Sequence, residues 1–238
     1  MGREVDAGEG RGLSAELVAT RWDDEYREGR YADERPLAFV DEILAVLRAH
    51  PASLAGVGLY VGCGNGRNFL PLVDAGLSLD GLDVSREALD QLAARRPDLA
   101  PRLTRADFLE LEIAAAFHYL IAIQVFQHGA QGDAAAYFAK SAAALKPGGL
   151  FFLRVNSAST EIYFQHTIVD RNEFGGLTVR YDDGPKQGLG VHFYAREELL
   201  ELAGSRFDLL SEPREIVTRR PPPKTGSWAQ WEAVWRKR

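Results

Sequence analysis

Three glycines, Gly62, Gly64 and Gly66, follow a short apolar run that begins at Val57. Such a run is typical of a buried parallel strand, and glycines after it let the backbone come close to a ligand. The next apolar run along the chain ends on an acid, Asp83. In open α/β folds, ligands bind at the carboxyl ends of the strands, where a carboxylate can accept hydrogen bonds from two ribose hydroxyls. These residues together indicate a site for a ligand that contains a nucleoside.

The spacing of the glycines narrows the choice of ligand. The dinucleotide pattern G-x-G-x-x-G requires glycine where this chain has Arg67, which disfavours an NAD-dependent oxidoreductase. The phosphate-loop pattern fails as well, because no Gly-Lys-Ser/Thr follows the glycines. A structural alternative is that the glycines only form a tight turn and that Asp83 caps the next helix.

The sequence Gly-Cys-Gly-Asn-Gly at residues 62–66, with an acid at the end of the next strand, resembles motifs I and II of the class I S-adenosylmethionine-dependent methyltransferases. The resemblance continues in order and covers about residues 20–238. Ala106-Asp107-Phe108 resembles motif III, residues 120–128 resemble the fourth strand, and residues 144–150 resemble the turn before the fifth strand.

This resemblance implies an α/β fold with a Rossmann-like, doubly wound sheet of seven strands, mostly parallel with the last strand antiparallel, and helices on both faces. It implies S-adenosyl-L-methionine as cofactor, S-adenosyl-L-homocysteine as product, and a small molecule as methyl acceptor. A non-catalytic protein that binds the same cofactor or a partner is the alternative. Two departures from the family pattern favour that alternative: Tyr60 replaces an acid that commonly precedes the glycines, and His118 replaces an aspartate that commonly opens the fourth strand.

The resemblance also assigns residues to the cofactor. Asp83 would bind the ribose hydroxyls, Asp107 would bind the exocyclic amine of adenine, and the backbone of Gln124 would contact the methionine moiety. Val84 would pack on the adenine face, and the backbone N–H of Phe108 would meet a ring nitrogen of the adenine. Packing in the core is the alternative for both residues. The complete implied set is Gly62, Cys63, Gly64, Gly66, Asn68, Asp83, Val84, Asp107, Phe108, Gln124 and Val125.

His128 is the candidate catalytic residue, because it is the one histidine in a motif position, directly after the fourth strand. An imidazole has an unperturbed pKa suited to accepting a proton from a hydroxyl or amine near neutrality. A structural histidine bonded to backbone is the alternative.

Two segments outside the motifs are candidates for binding the acceptor. Residues 13–35 form a predicted helical lid, in which Tyr26 or Tyr31 could approach the cofactor's sulfonium or carboxylate end. Packing of the aromatic rings of this segment onto the domain is the alternative. Residues 156–193 are an insertion without clear periodicity, predicted to be a lid or small sheet that selects the acceptor. Its candidate substrate residues are Tyr163, His166 and Arg171.

Composition limits the class of protein. The 238 residues suit one domain, predicted at 13–238, and the glycine-rich, charged residues 1–12 are expected to be disordered. The net charge of -6 argues against a general nucleic-acid partner. Cys63 is the single cysteine, so neither an intrachain disulfide nor a cysteine metal cluster is expected, and no metal is predicted. We expect a cytoplasmic monomer or homodimer without a membrane span.

Three local patterns predict element boundaries. Pro36 predicts the start of a helix, and Ser85 predicts the cap of a helix that runs through Arg95. The stretch from Trp228 to Trp235 fits both helical and strand spacing. The family resemblance favours the strand, which would be the antiparallel seventh.

Overall fold

The structure is a computed structural model that describes residues 15–32 and 34–238. The predicted disordered tail, residues 1–12, lies outside the described residues. The helices are α1 Ala15–Arg27, α2 Phe39–Ala49, α3 Pro51–Leu54, α4 Phe69–Asp74, α5 Arg86–Arg95, α6 Gln131–Ala144 and α7 Arg196–Ala203. The strands are β1 Val57–Val61, β2 Ser78–Asp83, β3 Leu103–Arg105, β4 Phe117–Ile123, β5 Leu145–Asn156, β6 His166–Arg171, β7 Leu177–Tyr181, β8 Gly190–Phe193, β9 Phe207–Arg219 and β10 Ser227–Lys237.

Seven strands form the central sheet, in the order β3-β2-β1-β4-β5-β10-β9. β1 pairs in parallel with β2 on one side and with β4 on the other, so the strand order reverses between β1 and β4. β10 is antiparallel to both β5 and β9. The predicted Rossmann-like sheet, mostly parallel with the last strand antiparallel, is confirmed. The reversal between β1 and β4 creates the crevice in which this kind of sheet binds ligands.

Both faces of the sheet are covered by helices, as predicted. On one face, Phe138 of α6 packs with Phe151 and Trp235. On the other face, Phe39 and Ile43 of α2 pack in a separate cluster. Because the central strands are buried on both sides, their sequences are apolar at consecutive positions and show no alternation.

The tryptophan-rich segment near the end of the chain is a strand, as the family resemblance favoured. Ala233, Val234 and Trp235 are consecutive and all buried, which a strand achieves only when both faces of its sheet are covered. Trp228, at the other end of β10, is exposed beside Arg220. The difference in burial between the two tryptophans therefore follows from position along the strand.

The prediction that Pro36 starts a helix is wrong, because α2 begins at Phe39. The backbone N–H of Leu37 donates to Oδ1 of Asn68 at 2.9 Å, and this bond holds the segment non-helical against the start of α4. The predicted cap is confirmed: Oγ of Ser85 accepts from the backbone N–H of Ala88 at 3.0 Å, and α5 ends at Arg95.

The insertion forms a small antiparallel sheet in the order β6-β7-β8. It is joined to the loop after β4 by two backbone bonds: the N–H of Gly129 donates to the carbonyl of Gly190 at 3.2 Å, and the N–H of His192 donates to the carbonyl of Gln127 at 2.8 Å. β8 therefore fixes the small sheet above the carboxyl edge of the central sheet. Among the described residues, no helix has the length and apolarity needed to cross a bilayer.

The two tryptophans of β10 provide a test of this packing. Trp235→Ala should lower the free energy of unfolding by about 3–5 kcal/mol, because it removes a fully buried side chain and leaves a cavity beside Phe138 and Phe151. The matched change Trp228→Ala should lower it by less than about 1 kcal/mol, because that side chain is exposed. Urea unfolding of both variants gives the comparison, and equal losses would contradict the placement of β10.

Candidate active site

A buried carboxylate joins the glycine loop to the end of β2. Oδ2 of Asp83 accepts from the backbone N–H of Gly64 at 2.7 Å, and Oδ1 accepts from the backbone N–H of Ser85 at 2.9 Å. Burial raises the pKa of Asp83 to about 6, against the effect of these N–H donors. Since Ser85 caps α5 with its own hydroxyl, Asp83 is not the helix cap of the structural alternative. Each carboxylate oxygen keeps lone pairs that can accept from a ligand hydroxyl.

The glycine loop leaves no room for side chains. Gly64 has φ of +53°, and a Cβ there would lie 2.3 Å from the hydroxyl oxygen of Tyr26. Gly62 has φ of +70°, and its Cβ would lie 2.8 Å from the side chain of Val125. Both positions need glycine for conformation and for space. The loop thereby brings its backbone to the cavity surface at the crevice of the sheet.

Asp107, Phe108 and Val84 line one end of the cavity above β2 and β3. Oδ1 of Asp107 accepts from the backbone N–H of Leu109 at 2.8 Å, which leaves Oδ2 as the oxygen for a ligand amine. The ring of Phe108 stacks with Phe126 at 5.4 Å between ring centroids. Phe108 thus packs in the core and also lines the cavity, so the two predicted alternatives for it are compatible.

The other predicted cofactor residues lie around the ends of β1 and β4. Gln124 and Val125 line the cavity, and Gln124 has φ of +58°, a strained conformation for a residue other than glycine. Cys63 is buried, and burial followed by the charge of Asp83 raises the pKa of its thiol well above the usual value. Asn68 lines the cavity, and its side-chain oxygen accepts a hydrogen bond from the backbone N–H of Leu37.

The two departures from the family pattern lie in different places. Tyr60 is buried in the core and lines the cavity, and burial raises the pKa of its hydroxyl. His118 lies near the start of β4, at the opposite edge of the sheet from the glycine loop. The replacement at His118 therefore does not change the site.

His128 lines the cavity directly after β4. Trp22 of the N-terminal segment contacts its ring edge to face, with centroids 5.0 Å apart. Burial, with the nearby charge of Lys186, lowers the pKa of His128 well below its usual value, so the imidazole is neutral at pH 7. Its Nδ1 is buried and has no hydrogen-bond partner within the described residues. A neutral imidazole has one ring nitrogen with a lone pair, and this is the form of histidine that accepts a proton or a hydrogen bond.

The predicted N-terminal lid covers the glycine loop. Trp22, Tyr26 and Tyr31 all line the cavity, and Tyr26 is buried over Gly64. The segment is anchored on α5, where Oδ1 of Asp23 accepts from the hydroxyl of Ser85 at 2.6 Å and from the backbone N–H of Glu87 at 3.0 Å. A carboxylate at a helix N-terminus is favourable because of the helix dipole.

The insertion contributes to the cavity with residues other than those predicted. Tyr163 is exposed beside Lys224, the ring of His166 contacts the carbonyl of Phe164 at 2.9 Å, and Arg171 is exposed at the end of β6. None of these three lines the cavity, although Val169 of β6 does. The insertion residues that do line it are Val169, Thr178, Arg180, Gly188, Leu189 and Gly190.

The whole cavity has a volume of about 690 Å³ and runs from the glycine loop to the small sheet. Its lining combines aromatic rings from the lid with a few polar groups, which is typical of small-molecule sites. Within the described residues, no cluster of histidine, cysteine and carboxylate side chains could hold a metal ion.

The sequence profile of a family described as a methyltransferase domain matches residues 59–149. This match spans β1 through the turn inside β5, and therefore includes the glycine loop, Asp83 and His128. This part of the chain is therefore similar to methyltransferase domains. A search of curated protein sequences finds no match.

Solved structures with the same fold include methyltransferases. The 1,6-didemethyltoxoflavin-N1-methyltransferase of Burkholderia thailandensis, with bound 1,6-didemethyltoxoflavin and S-adenosylhomocysteine, has a TM-score of 0.64 at 20% identity, over 99% of this chain and 98% of that one. An S-adenosylmethionine-dependent methyltransferase from Clostridium acetobutylicum has a TM-score of 0.61 at 17% identity, over 94% and 99%. Magnesium protoporphyrin IX methyltransferase from Synechocystis, with bound S-adenosylmethionine, has a TM-score of 0.59 at 14% identity, over 94% of this chain and 99% of that one. At these identities the similarity establishes the fold.

The matched methyltransferase domain and the motifs in the sequence imply S-adenosylmethionine as cofactor, and the residues at the sheet edge fit it. The positive-φ glycines form a cradle that a Cβ would fill, and the buried carboxylate of Asp83 lies beside it at the cavity surface. A carboxylate is suited to the paired hydroxyls of a ribose.

Asp83→Ala should weaken binding of S-adenosylhomocysteine about ten- to a hundredfold. The change removes the charged acceptor of the ribose hydroxyls, and hydrogen bonds to a charged group contribute roughly 1.5–3 kcal/mol. Asp80→Ala is the matched control, since Asp80 lies on the same strand, outside the cavity, paired with Arg102. Calorimetric titration of both variants measures the difference. Equal affinities in the two variants would show that Asp83 does not bind the cofactor.

The raised pKa of Asp83 predicts a pH dependence for the same ligand. Because the ionised carboxylate is the form that accepts from both hydroxyls, affinity should fall as the pH drops through the pKa of about 6. The expected loss is about tenfold between pH ~7 and pH ~5. Asp83→Ala should have a flat profile over this range. An equally flat profile in the unmodified chain would contradict the role of Asp83.

Proposed function

We propose that this protein transfers a methyl group from S-adenosylmethionine to a small-molecule acceptor. The observation that carries the proposal is the continuity of the cavity, which runs from the glycine loop and Asp83 to walls formed by α1 and the small sheet. The cofactor half lies at the strand ends, and the far half is left for the acceptor. A volume of about 690 Å³ lies within the usual range for small-molecule sites.

The closure of the cavity favours a small acceptor over a polymer. The lid is held on α5 through Asp23, and the small sheet is held on the loop after β4 through Gly190 and His192. The net charge of -6 adds electrostatic repulsion between the protein and the phosphates of a nucleic acid. The Burkholderia methyltransferase was solved with a bound small molecule, and it lends support because it shares the fold over nearly the whole chain.

The cofactor supplies an electrophilic methyl group on a sulfonium, which is transferred by in-line displacement. The chain's residues hold and orient the reactants and exclude water, and alignment of this kind supplies most of the rate. We propose Asp83 for the ribose, Asp107 with Val84 and Phe108 for the adenine, and the backbone of Gln124 and Val125 for the methionine end. The aromatic faces of Tyr26 and Tyr31 are suited to attract the cationic sulfur.

We propose His128 as the proton acceptor for a nucleophile that carries a proton. It is neutral because burial lowers its pKa, and it lines the cavity directly after β4. The contact with Trp22 keeps the ring in place. Substrate contacts from the insertion are assigned to the residues that line the cavity, in place of Tyr163, His166 and Arg171.

The test uses cofactor labelled in the methyl group, incubated with the protein and a metabolite extract. Label should appear in the small-molecule fraction, and His128→Gln should reduce the rate about 10²–10⁴-fold if the nucleophile carries a proton. S-adenosylhomocysteine affinity should stay within a few fold in that variant, which separates lost chemistry from lost cofactor binding. Label on nucleic acid or protein would contradict a small acceptor, and cofactor binding without any turnover would favour the non-catalytic alternative.

A further inference from the structure

Three buried polar side chains form a hydrogen-bonded chain that begins at the cavity wall. Oγ1 of Thr178 lies 2.8 Å from Nδ1 of His192, and Nε2 of His192 lies 2.8 Å from Oε1 of Glu198. The three residues are 2%, 1% and 3% exposed, so water does not replace these bonds. Thr178 is the one member of the three that lines the cavity.

The small sheet and α7 fix this arrangement. Thr178 and His192 are directly opposite each other in the antiparallel pair of β7 and β8, so their side chains lie on the same face. Glu198 lies in the first turn of α7, where its Oε2 accepts from the backbone N–H of Ala195 at 3.1 Å. The ring of Tyr194 packs edge to face on His192, with centroids 4.5 Å apart. The His192 ring therefore cannot rotate without breaking several contacts.

When His192 is a neutral imidazole and Glu198 is ionised, the two contacts allow one direction of donation. An ionised carboxylate only accepts, so Nε2 of His192 carries the proton that is donated to Glu198. In a neutral imidazole Nδ1 then has a lone pair and no proton, and it accepts from the hydroxyl of Thr178. In this state the hydroxyl proton of Thr178 is donated to Nδ1 of His192. What remains for the cavity is a hydroxyl oxygen that can only accept a hydrogen bond.

The surroundings of Thr178 define the shape of a molecule that could use this oxygen. The same cavity is also lined by the aromatic rings of Trp22 and Tyr137 and by the apolar side chain of Leu189. Flat apolar walls of this kind suit a planar ring system, with rings packed by stacking or edge contact. An oriented acceptor in such a pocket discriminates strongly between molecules with and without a donor at the matching position, because a mismatched group leaves the acceptor unpaired.

We propose that Thr178, oriented by His192 and Glu198, is the specificity-determining acceptor for a hydroxyl or N–H donor on a planar aromatic methyl acceptor. This inference rests on the proposed function and narrows its substrate class. Thr178 would touch the substrate, whereas His192 and Glu198 are positioning residues that act through it. Ring substituents that can only accept, such as ethers, would be rejected at this position.

The experiment compares two probes of similar shape, phenol and fluorobenzene, binding to the full chain saturated with S-adenosylhomocysteine. Methyl signals of Leu189 in NMR titrations at millimolar probe report binding at the cavity wall. The unmodified chain should prefer phenol by about three- to tenfold. Thr178→Val should remove the preference, and Thr178→Ser should keep it. Thr167→Val is the matched control on the same small sheet, outside the cavity, and should also keep it.

The ring nitrogens of His192 give a readout that does not depend on the probes. Nitrogen-15 shifts should show a neutral imidazole protonated at Nε2, and an imidazolium would overturn the proposal, because Thr178 would then donate into the cavity. Absence of a phenol preference, or of any probe binding, would overturn it as well. If S-adenosylhomocysteine itself fails to bind, the proposed function fails; if it binds and phenol is not preferred, the inference alone fails.

Discussion

The site depends on one buried carboxylate that must be satisfied by backbone donors. Asp83 lies at the end of β2, and its two oxygens accept from the N–H groups of Gly64 and Ser85. A buried carboxylate without such partners is strongly destabilising, so these bonds hold the glycine loop against the start of α5. Gly64 can take part because φ of +53° costs little for glycine. The burial that demands these bonds also raises the pKa of Asp83 to about 6.

The two walls of the cavity are built on this framework and are attached to it independently. α1 is fastened to the helix that begins at Ser85, through Asp23 and through a bond of 3.0 Å from the Gln91 side chain to the carbonyl of Tyr26. The small sheet is fastened to the loop that carries His128 through the backbone of β8. Polar interactions within a closed, dry site are stronger than in water, which suits a reaction that depends on alignment.

Local patterns in the sequence predicted the framework well. The glycine loop, Asp83 and the cap at Ser85 were predictable because strand length, glycine spacing and capping act over a few residues. The insertion was not predictable in detail, because which of its side chains reach the cavity depends on strand order. Tyr163 attracted attention by residue type, yet it lies beyond the outer strand, while Thr178 gains its role from cross-strand pairing with His192. The start of α2 was misjudged because a tertiary bond from Asn68 overrides the preference of Pro36.

The most direct measurement is a crystal structure of the chain with S-adenosylhomocysteine. The account predicts the ribose hydroxyls on Asp83, the adenine between Val84 and Phe108 beside Asp107, and the sulfur facing the part of the cavity that contains His128 and Thr178. A nucleoside bound away from Asp83, or a ligand that fills the cavity up to the small sheet and leaves no room for an acceptor, would contradict it.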